Sequence, residues 1–525
     1  MQQPRREIES VVVSAAQMQE IEGRIFAAGM PVAALMEKVA VDLAQRIICL
    51  FPDDQISRVG ILVGPGHNGG DALVVARELH LAGYQVVLCR PIPKAKELTQ
   101  QHANYAANLG IPCYEDVAAL HNCNLIIDGL FGFGQTRDIA GNLAEVIQQV
   151  NNWRKLVVSI DLPSGIHTDT GEVLGIAVAA THTFCIGLWK RAFFQDRALQ
   201  YIGQAELIDI GIPTADIWTI LSDPPQIQCL TFTKAQEYLP LPRPAVTHKY
   251  KQGHLLLICG SERYAGGAIL TALGARASGV GMLSIAVPET LKPLLVSHLP
   301  EALVIGCPET ESGAIANLPP IAAEFDSYHA IACGPGLTLA AKPILQQVLQ
   351  ADNPLILDAD ALNILAELDT IPTLAQRSQQ TILTPHPGEF KRLFPQISHP
   401  NSDRLSAAQQ AAQESNSIIL LKGSRTAIAT PQGTVWVIPE STPALARGGS
   451  GDVLTGLIGG LVAQTTATEK PLAAMATPTL RYVATAAWWH AQAGILAAEE
   501  RTELGVDAFT LSQYLIYYLS KKLTK

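Results

Sequence analysis

Residues 59–88 read VGILVGPGHNGGDALVVARELHLAGYQVVL, and the order of their apolar and glycine-rich segments decides the fold class. Val59 to Val63 is an apolar run with the length of a buried strand, and Gly64 to Gly70 is a tight loop. Asp71 to Leu81 has helical periodicity, and Tyr84 to Leu88 is a second strand-like run. Strand, glycine loop, helix and strand in that order build one unit of a parallel sheet. Upstream, Met18 to Leu50 carries apolar residues at helical spacing and ends near Pro52, which predicts one or two helices. Downstream, the runs Leu125 to Asp128 and Leu156 to Asp161 each end in an aspartate followed by a glycine-bearing loop.

From Gly211 to Pro244 the sequence turns proline-rich and irregular, the composition of a linker. The alternation then restarts with a run His254 to Cys259, a loop Gly260 to Gly267, a helical stretch Ala268 to Ser278 and a run Leu283 to Val287. Later strands are expected at His329 to Cys333, Leu355 to Asp358, Thr381 to Thr384 and Ile418 to Leu421. The expected fold class is α/β with two doubly wound domains, residues 1–220 and 226–525, divided near residue 225. The stretch Trp488 to Ala498 is apolar at helical spacing and is assigned to core packing.

A chain that is 48% hydrophobic and 16% charged can bury large cores and is not disordered. Its net charge of -10 and the absence of a Lys/Arg run argue against nucleic acid as a partner. The nine cysteines show no CxxC pair or metal-ligand spacing, which fits buried thiols in a reducing compartment. Met1 to Ser10 lacks the apolar core of a signal peptide, and apolar stretches elsewhere are broken before spanning length, so a cytoplasmic protein without a membrane partner is expected. A homo-oligomer is the expected assembly.

Gly64-Pro65-Gly66-His67-Asn68-Gly69-Gly70-Asp71 lies between a strand and a helix, where small residues let backbone N–H groups approach an anion. The letters satisfy GxGxxG, yet Arg90 follows the second strand where a hydride-transfer fold wants an acidic residue. Asp128 precedes Gly129 to Gly134, and Asp161 precedes Leu162-Pro163-Ser164-Gly165. At the carboxyl ends of parallel strands these oxygen donors can converge with Asn68, a set suited to a hard cation or a hydroxyl-bearing substrate. Each aspartate taken alone also reads as a helix or turn cap.

In the second half, Gly448-Gly449-Ser450-Gly451-Asp452 leads into Val453-Leu454-Thr455-Gly456. Unpaired N–H groups at such a helix start can stabilise a transferring phosphoryl group, with Asp452 beside them as a base; a plain glycine-rich start with Asp452 as a dipole partner is the bland alternative. Lys422-Gly423-Ser424-Arg425-Thr426, Gly334-Pro335-Gly336-Leu337 and Thr384-Pro385-His386-Pro387-Gly388-Glu389 also follow strands and are expected on the same sheet edge.

With VGPGHNGGDALVVARELHLAGY, IIDGLFGFG and SIDLPSGIHTDTG, residues Met18 to about Pro213 resemble the NAD(P)H-hydrate epimerase family. The resemblance implies that His67, Asn68, Gly69, Gly70 and Asp71, and the loop Gly132, Phe133, Gly134, Gln135, Thr136, Arg137 and Asp138, contact a hydrated nicotinamide nucleotide. It further implies that Asp161 meets the reacting ring and that Asn68, Asp128 and Ser164 ligate potassium. His67 departs from the asparagine usual there and Ala72 from a glycine. The hydrate's hydroxyl sits next to the ring nitrogen, so a carboxylate shuttling one proton suffices, with Asp161 the candidate catalytic residue.

With HKYKQGHLLLICGSERYAGGAILTALGARASGVGML and LILDADALNIL, residues 230–520 resemble the ADP-dependent NAD(P)H-hydrate dehydratase family, which has a ribokinase-like fold. The resemblance implies that Ala268, Gly336, His386 and Asp452 contact the hydrated substrate, and that Lys422, Gly423, Ser424, Arg425, Thr426 and Gly451 hold ADP or ATP. Ser450 replaces the commoner threonine and keeps the hydroxyl. The expected chemistry is phosphorylation of the substrate hydroxyl, with Asp452 as base and Mg2+ neutralising charge, followed by loss of phosphate. NADHX and NADPHX are then the substrates of a front epimerase, Rossmann-like in fold, and a back dehydratase. A small-molecule kinase with an accessory nucleotide-binding domain is the enzyme alternative, and an idle sensor of nicotinamide nucleotides the non-enzyme one.

Overall fold

The computed structural model describes residues 5, 6, 8–398, 401–468 and 478–523, so the reading of Met1 to Ser10 lies partly outside the described residues. The chain divides into two compact units between Gln228 and Cys229. Among the described residues no helix is long and apolar enough to cross a membrane. All nine cysteines are free thiols.

The front unit is built on a seven-stranded sheet in the order Cys113–Tyr114, Gln85–Cys89, Arg58–Val63, Leu125–Gly129, Leu156–Ile160, His182–Ile186 and Gln204–Ile208. Every neighbouring pair is parallel. Alternation along the strands supplies two cores: Ile61 and Ile127 belong to one, Leu62 and Ile126 to the other, as expected of a sheet covered on both faces. The strand order reverses between Arg58–Val63 and Leu125–Gly129, and a crevice opens at the carboxyl ends beside such a reversal.

The back unit carries a ten-stranded sheet in the order Ile227–Cys229, Val435–Val437, Ala427–Ala429, Ile418–Leu421, Thr381–Leu383, Leu355–Leu357, Ala330–Cys333, His254–Ile258, Met282–Pro288 and Leu303–Cys307. The strands from Ile418–Leu421 to Leu303–Cys307 are parallel, and the hairpin Ala427–Ala429 and Val435–Val437 adds antiparallel pairs. Here the order reverses between His254–Ile258 and Ala330–Cys333. The helix Ser450–Thr468 lies against Ala265–Ala277 so closely that a Cβ on Gly456 would stand 1.8 Å from the Thr271 carbonyl oxygen. That glycine contact fixes where the first turn of the helix, with Asp452, meets the sheet edge.

Several sequence expectations are corrected in detail. The first glycine segment is not loop as far as Gly70, because the helix already runs His67–Leu81, and the second helix runs Ala265–Ala277, three residues earlier than expected at its start. The stretch Gly211 to Pro244 is not an irregular linker throughout: Thr214–Leu221 is a helix burying Ile217 and Leu221, Ile227–Cys229 a strand and Phe232–Tyr238 a helix. Local proline density outweighed apolar spacing in that reading, although each proline falls outside these elements or at a helix start, where it breaks no hydrogen bond.

Candidate active sites

In the front unit a cavity of about 700 Å³ opens at the reversal of strand order, within the usual range for a cofactor-sized ligand. From the helix His67–Leu81 it is lined by His67, Asn68 and Asp71, the face that spacing of three and four brings together. Gly69 and Gly70 turn inward instead, and a Cβ on Gly69 would lie 2.0 Å from the Gly64 carbonyl oxygen. Gly132, Phe133, Gly134 and Gln135 line the cavity, whereas Thr136, Arg137 and Asp138 do not. Burial and the nearby Lys96 lower the His67 pKa.

Asp161 sits just past its strand with φ +69 and is 4% exposed. Its Oδ2 accepts from the Phe133 N–H at 2.7 Å, and its Oδ1 accepts from Lys190 Nζ at 2.5 Å. Lys190 is fully buried and also donates to the Ile186 carbonyl at 2.5 Å. Burial works against its charge, but Asp161 and Cys185 more than offset that, and its pKa lies above the ordinary lysine value. A Cβ on Gly132 would stand 2.9 Å from Asp161 Oδ2 and 3.2 Å from Asn68 Oδ1, so this glycine keeps the space between them open.

Asp128 and Ser164 lie together behind the cavity wall. Buried Asp128 accepts from Ser164 Oγ at 2.7 Å, Ser164 N–H and Ser159 Oγ at 2.9 Å, and Leu130 N–H at 3.2 Å. Burial raises its pKa and those hydrogen bonds lower it, while no cation contributes. Ser164 Oγ is also 3.2 Å from the Phe131 carbonyl oxygen, and Asn68 Nδ2 is buried without a hydrogen-bond partner. A cluster of oxygens around a buried carboxylate with no cationic partner suits a hard cation of low charge.

Two residues of this site escape the sequence reading. Lys190 ends the two-residue strand Trp189–Lys190, with nothing around it to mark it as the partner of Asp161. Glu22 lines the cavity from the helix Ala15–Ala27 together with Gln19, Gly23 and Phe26. Their spacing of three and four, beside the buried stripe Met18, Ile21 and Ile25, is the signal that could have found it.

In the back unit Lys422 Nζ is held 2.5 Å from Asp358 Oδ1, and Thr455 Oγ donates to Asp358 Oδ2 at 2.6 Å. Asp358 and Thr455 are both buried. A Cβ on Gly451 would meet Lys422 Nζ at 3.2 Å, so the helix start, the lysine and Asp358 form one cluster. The pKa of Asp452 is raised to about 7, chiefly by burial and by Asp358, against the opposing pull of Lys422. A Cβ on Gly267 would come within 3.4 Å of Asp452 Oδ2 and 3.8 Å of the Gly336 nitrogen, which brings Asp452, Gly336 and the segment preceding Ala268 to one place. In the first turn of the helix the N–H groups of Gly451 and Asp452 have no intrahelical acceptor.

His386 caps the helix Pro387–Leu393, its Nδ1 accepting from the Gly388 N–H at 2.9 Å, while Glu389 Oε2 accepts from the His386 N–H at 2.9 Å. The Lys422 N–H donates to the Pro385 carbonyl at 2.9 Å, tying the two loops. Gly423 lies over the buried Arg404, where a Cβ would be 2.3 Å from Nη2, and Arg404 donates to the Lys422 carbonyl at 2.9 Å. Ser424, Arg425 and Thr426 bond within their own turn, with Arg425 Nη1 3.2 Å from the Ser424 carbonyl and Thr426 Oγ1 3.3 Å from that of Gly423. Ala268 is buried in the Ala265–Ala277 helix. Trp489 is buried in the core, but its neighbour His490 places Nε2 3.0 Å from the Ser450 carbonyl, and burial lowers its pKa to about 4.

Asp358, Thr455 and His490 were not singled out from sequence, since they act through contacts 97 and 40 residues apart. Replacing Thr455 by Val, which keeps the shape, removes a hydrogen bond to a buried carboxylate and should lower stability by about 1.5–3 kcal/mol in urea unfolding. A loss smaller than about 0.5 kcal/mol would show that Asp358 does not depend on it.

Comparison with known proteins extends over both units. Residues 32–192 match the family model described as YjeF-related protein N-terminus, and residues 255–517 match the one described as NAD(P)H-hydrate dehydratase. The bifunctional NAD(P)H-hydrate repair enzyme Nnr of Synechocystis sp. is 58% identical over 505 residues, covering 96% of this chain and 94% of that protein. The protein of the same name from Thermosynechococcus vestitus is 51% identical, covering 98% of each. Among solved structures, the ADP/ATP-dependent NAD(P)H-hydrate dehydratase from Bacillus subtilis co-crystallized with ATP/Mg2+ is 33% identical with a TM-score of 0.44, covering 53% of this chain and 93% of that one. Matching two family models in order and close relatives from end to end, the chain belongs to the bifunctional NAD(P)H-hydrate repair enzymes.

Proposed function

We propose that the front site interconverts the R and S hydrates of NADH and NADPH, and that the back site dehydrates the S form at the expense of ADP or ATP, releasing phosphate. The observation that carries this reading is the pairing, in each unit, of a helix start with a lysine held on a buried carboxylate: His67 to Asp71 with Lys190 and Asp161, and Ser450 to Asp452 with Lys422 and Asp358. In the front site Asp161 faces the reacting ring, where loss of hydroxide leaves positive charge on the ring nitrogen that a fixed carboxylate stabilises. Potassium, held by Asn68, Asp128 and Ser164, would supply the charge that the buried Asp128 lacks.

In the back site Asp452 takes the proton of the substrate hydroxyl as that oxygen attacks the terminal phosphoryl group. The N–H groups of Gly451 and Asp452 and the Lys422 ammonium receive the charge that develops on it. Phosphate then leaves from carbon as the ring nitrogen's lone pair pushes in, and loss of a ring proton restores the reduced nicotinamide. Asp358, Asp360 and Asp452 outnumber Lys422 here, and that surplus suits Mg2+, which binds through few carboxylates and the phosphates of its substrate and would neutralise their charge. Free thiols throughout fit a cytosolic location.

The test offers the R and S hydrates separately to the full chain, with and without nucleotide and Mg2+. The S hydrate should return NADH absorbance only with nucleotide, and the R hydrate should become S without it. Exchanging potassium for choline should slow only the R-to-S step. A stable phosphorylated product with no recovered NADH would point instead to a small-molecule kinase.

A further inference from the structure

The cavity of the front unit holds more acid than Asp161 can account for. Glu22 reaches it from the helix Ala15–Ala27 and Asp71 from His67–Leu81, both lining it with Asp161, whose partner Lys190 is buried behind the lining. Asp161 has both oxygens engaged as acceptors, by Lys190 Nζ at 2.5 Å and by the Phe133 N–H at 2.7 Å. Glu22 is different. Its ionisation is set by burial and by the charges of Lys190 and Asp161, with no hydrogen bond among the influences. Asp71 is likewise shaped by burial, Asp161 and Glu22, which hold its pKa well above the usual carboxylate range. Among the described residues Lys96 lines this cavity, exposed and acting on His67, and Lys190 lies behind it, already committed to Asp161. With burial and mutual repulsion raising both Glu22 and Asp71, and one buried ammonium already engaged elsewhere, the cluster favours a proton held on these two carboxyl groups.

Resting on the epimerase reading, we propose that Glu22 is the acid and base of the front site, protonating the departing hydroxyl of the hydrate and taking a proton back from the returning water. In the forward half the C–O bond breaks, the ring nitrogen's lone pair becomes a C=N π bond, and the Glu22 proton leaves with the hydroxide as water. In the return half water adds to the opposite face, the π pair goes back to nitrogen, and the surplus proton returns to the Glu22 carboxylate. Asp161, held by Lys190 and the Phe133 N–H, keeps its place beside the cationic ring. Burial, the largest influence, brings the Glu22 pKa to about 7, where one group can both give and accept a proton at neutral pH. The free enzyme must carry the proton, so kcat/KM should fall tenfold per pH unit above about 7.

The test follows R-to-S conversion by the full chain without nucleotide, using Glu22→Gln and Glu22→Asp. Glu22→Gln should lower kcat by about 10²–10⁴-fold with KM nearly unchanged, and the alkaline limb should vanish. Glu22→Asp should keep that limb with kcat reduced at least about tenfold, because the carboxyl is withdrawn by one methylene. Wild-type kcat in Glu22→Gln, or a change confined to KM, overturns the assignment. Should Glu22→Gln fail to protect the front-unit amides from hydrogen exchange, Glu22→Asp decides, and full turnover there also overturns it. A wild-type chain that leaves the R hydrate untouched refutes the epimerase reading itself, whereas normal wild-type conversion with an indifferent Glu22→Gln refutes only the role of Glu22.

Discussion

Asp452→Ala should abolish dehydration of the S hydrate, lowering kcat by at least about 10²–10⁴-fold, while nucleotide still binds and R-to-S conversion continues. The carboxylate belongs to the first turn of the helix Ser450–Thr468, within reach of the Gly267 and Gly336 backbone, and its pKa is raised to about 7. Nucleotide binding should survive because Lys422 is held by Asp358 and not by Asp452. As a base Asp452 works in its ionised form, so dehydration should be full above about pH 7 and fall as pH drops below it. Glu22 works from its protonated form, so epimerisation should show the opposite limb. Equilibrium titration with ADP and separate pH profiles for the two hydrates check all of this. Dehydration by Asp452→Ala at the wild-type rate would remove Asp452 from the mechanism.

What the sequence disclosed of these sites follows from how local each signal is. Asp161 and Asp452 stand beside a strand end or a glycine-lined helix start, so a window of ten residues shows both the residue and its setting. The parallel sheets were legible for the same reason: Arg58–Val63 and Ile418–Leu421 are dense apolar runs bounded by turn residues. Leu303–Cys307 and the hairpin Ala427–Ala429 with Val435–Val437 were not picked out, the hairpin strands being only three residues long and recognisable by their pairing.

The residues that tune the sites were hidden because their meaning is tertiary. Lys422 could be suspected, but its partner Asp358 is 64 residues away and follows a different strand, Leu355–Leu357. Glu22 lies on an amphipathic helix, and its setting comes from Lys190 and Asp161, which lie on other elements. Glycines carried a motif without its usual meaning. Gly64 and Gly69 complete the letters of a dinucleotide fingerprint, yet a Cβ on Gly64 would lie 1.7 Å from the Leu130 carbonyl oxygen and one on Gly69 2.0 Å from that of Gly64. Both glycines therefore permit close backbone packing at the head of the cavity, whatever ligand it takes.

Lys190→Met is expected to be the most damaging single change in the front unit. Methionine fills most of the volume of the lysine stem, so the loss is chiefly of the ammonium, and Asp161 would be left at 4% exposure with its cation gone. Breaking a buried ion pair from one side costs about 3–5 kcal/mol, because the remaining charge is neither solvated nor paired. The pair joins residues 29 positions apart and also holds the Ile186 carbonyl, so the strand His182–Ile186 should open more readily. Hydrogen exchange of the amides in that strand reports on the front unit alone. Adding Asp161→Asn to Lys190→Met removes the stranded charge and should recover much of the stability, yet R-to-S conversion should remain lost, since the ring would face no carboxylate there. A single variant whose strand amides exchange as slowly as those of the wild type would show that Lys190 does not hold Asp161 in place, and recovery of epimerisation in the double variant would exclude Asp161 from the reaction.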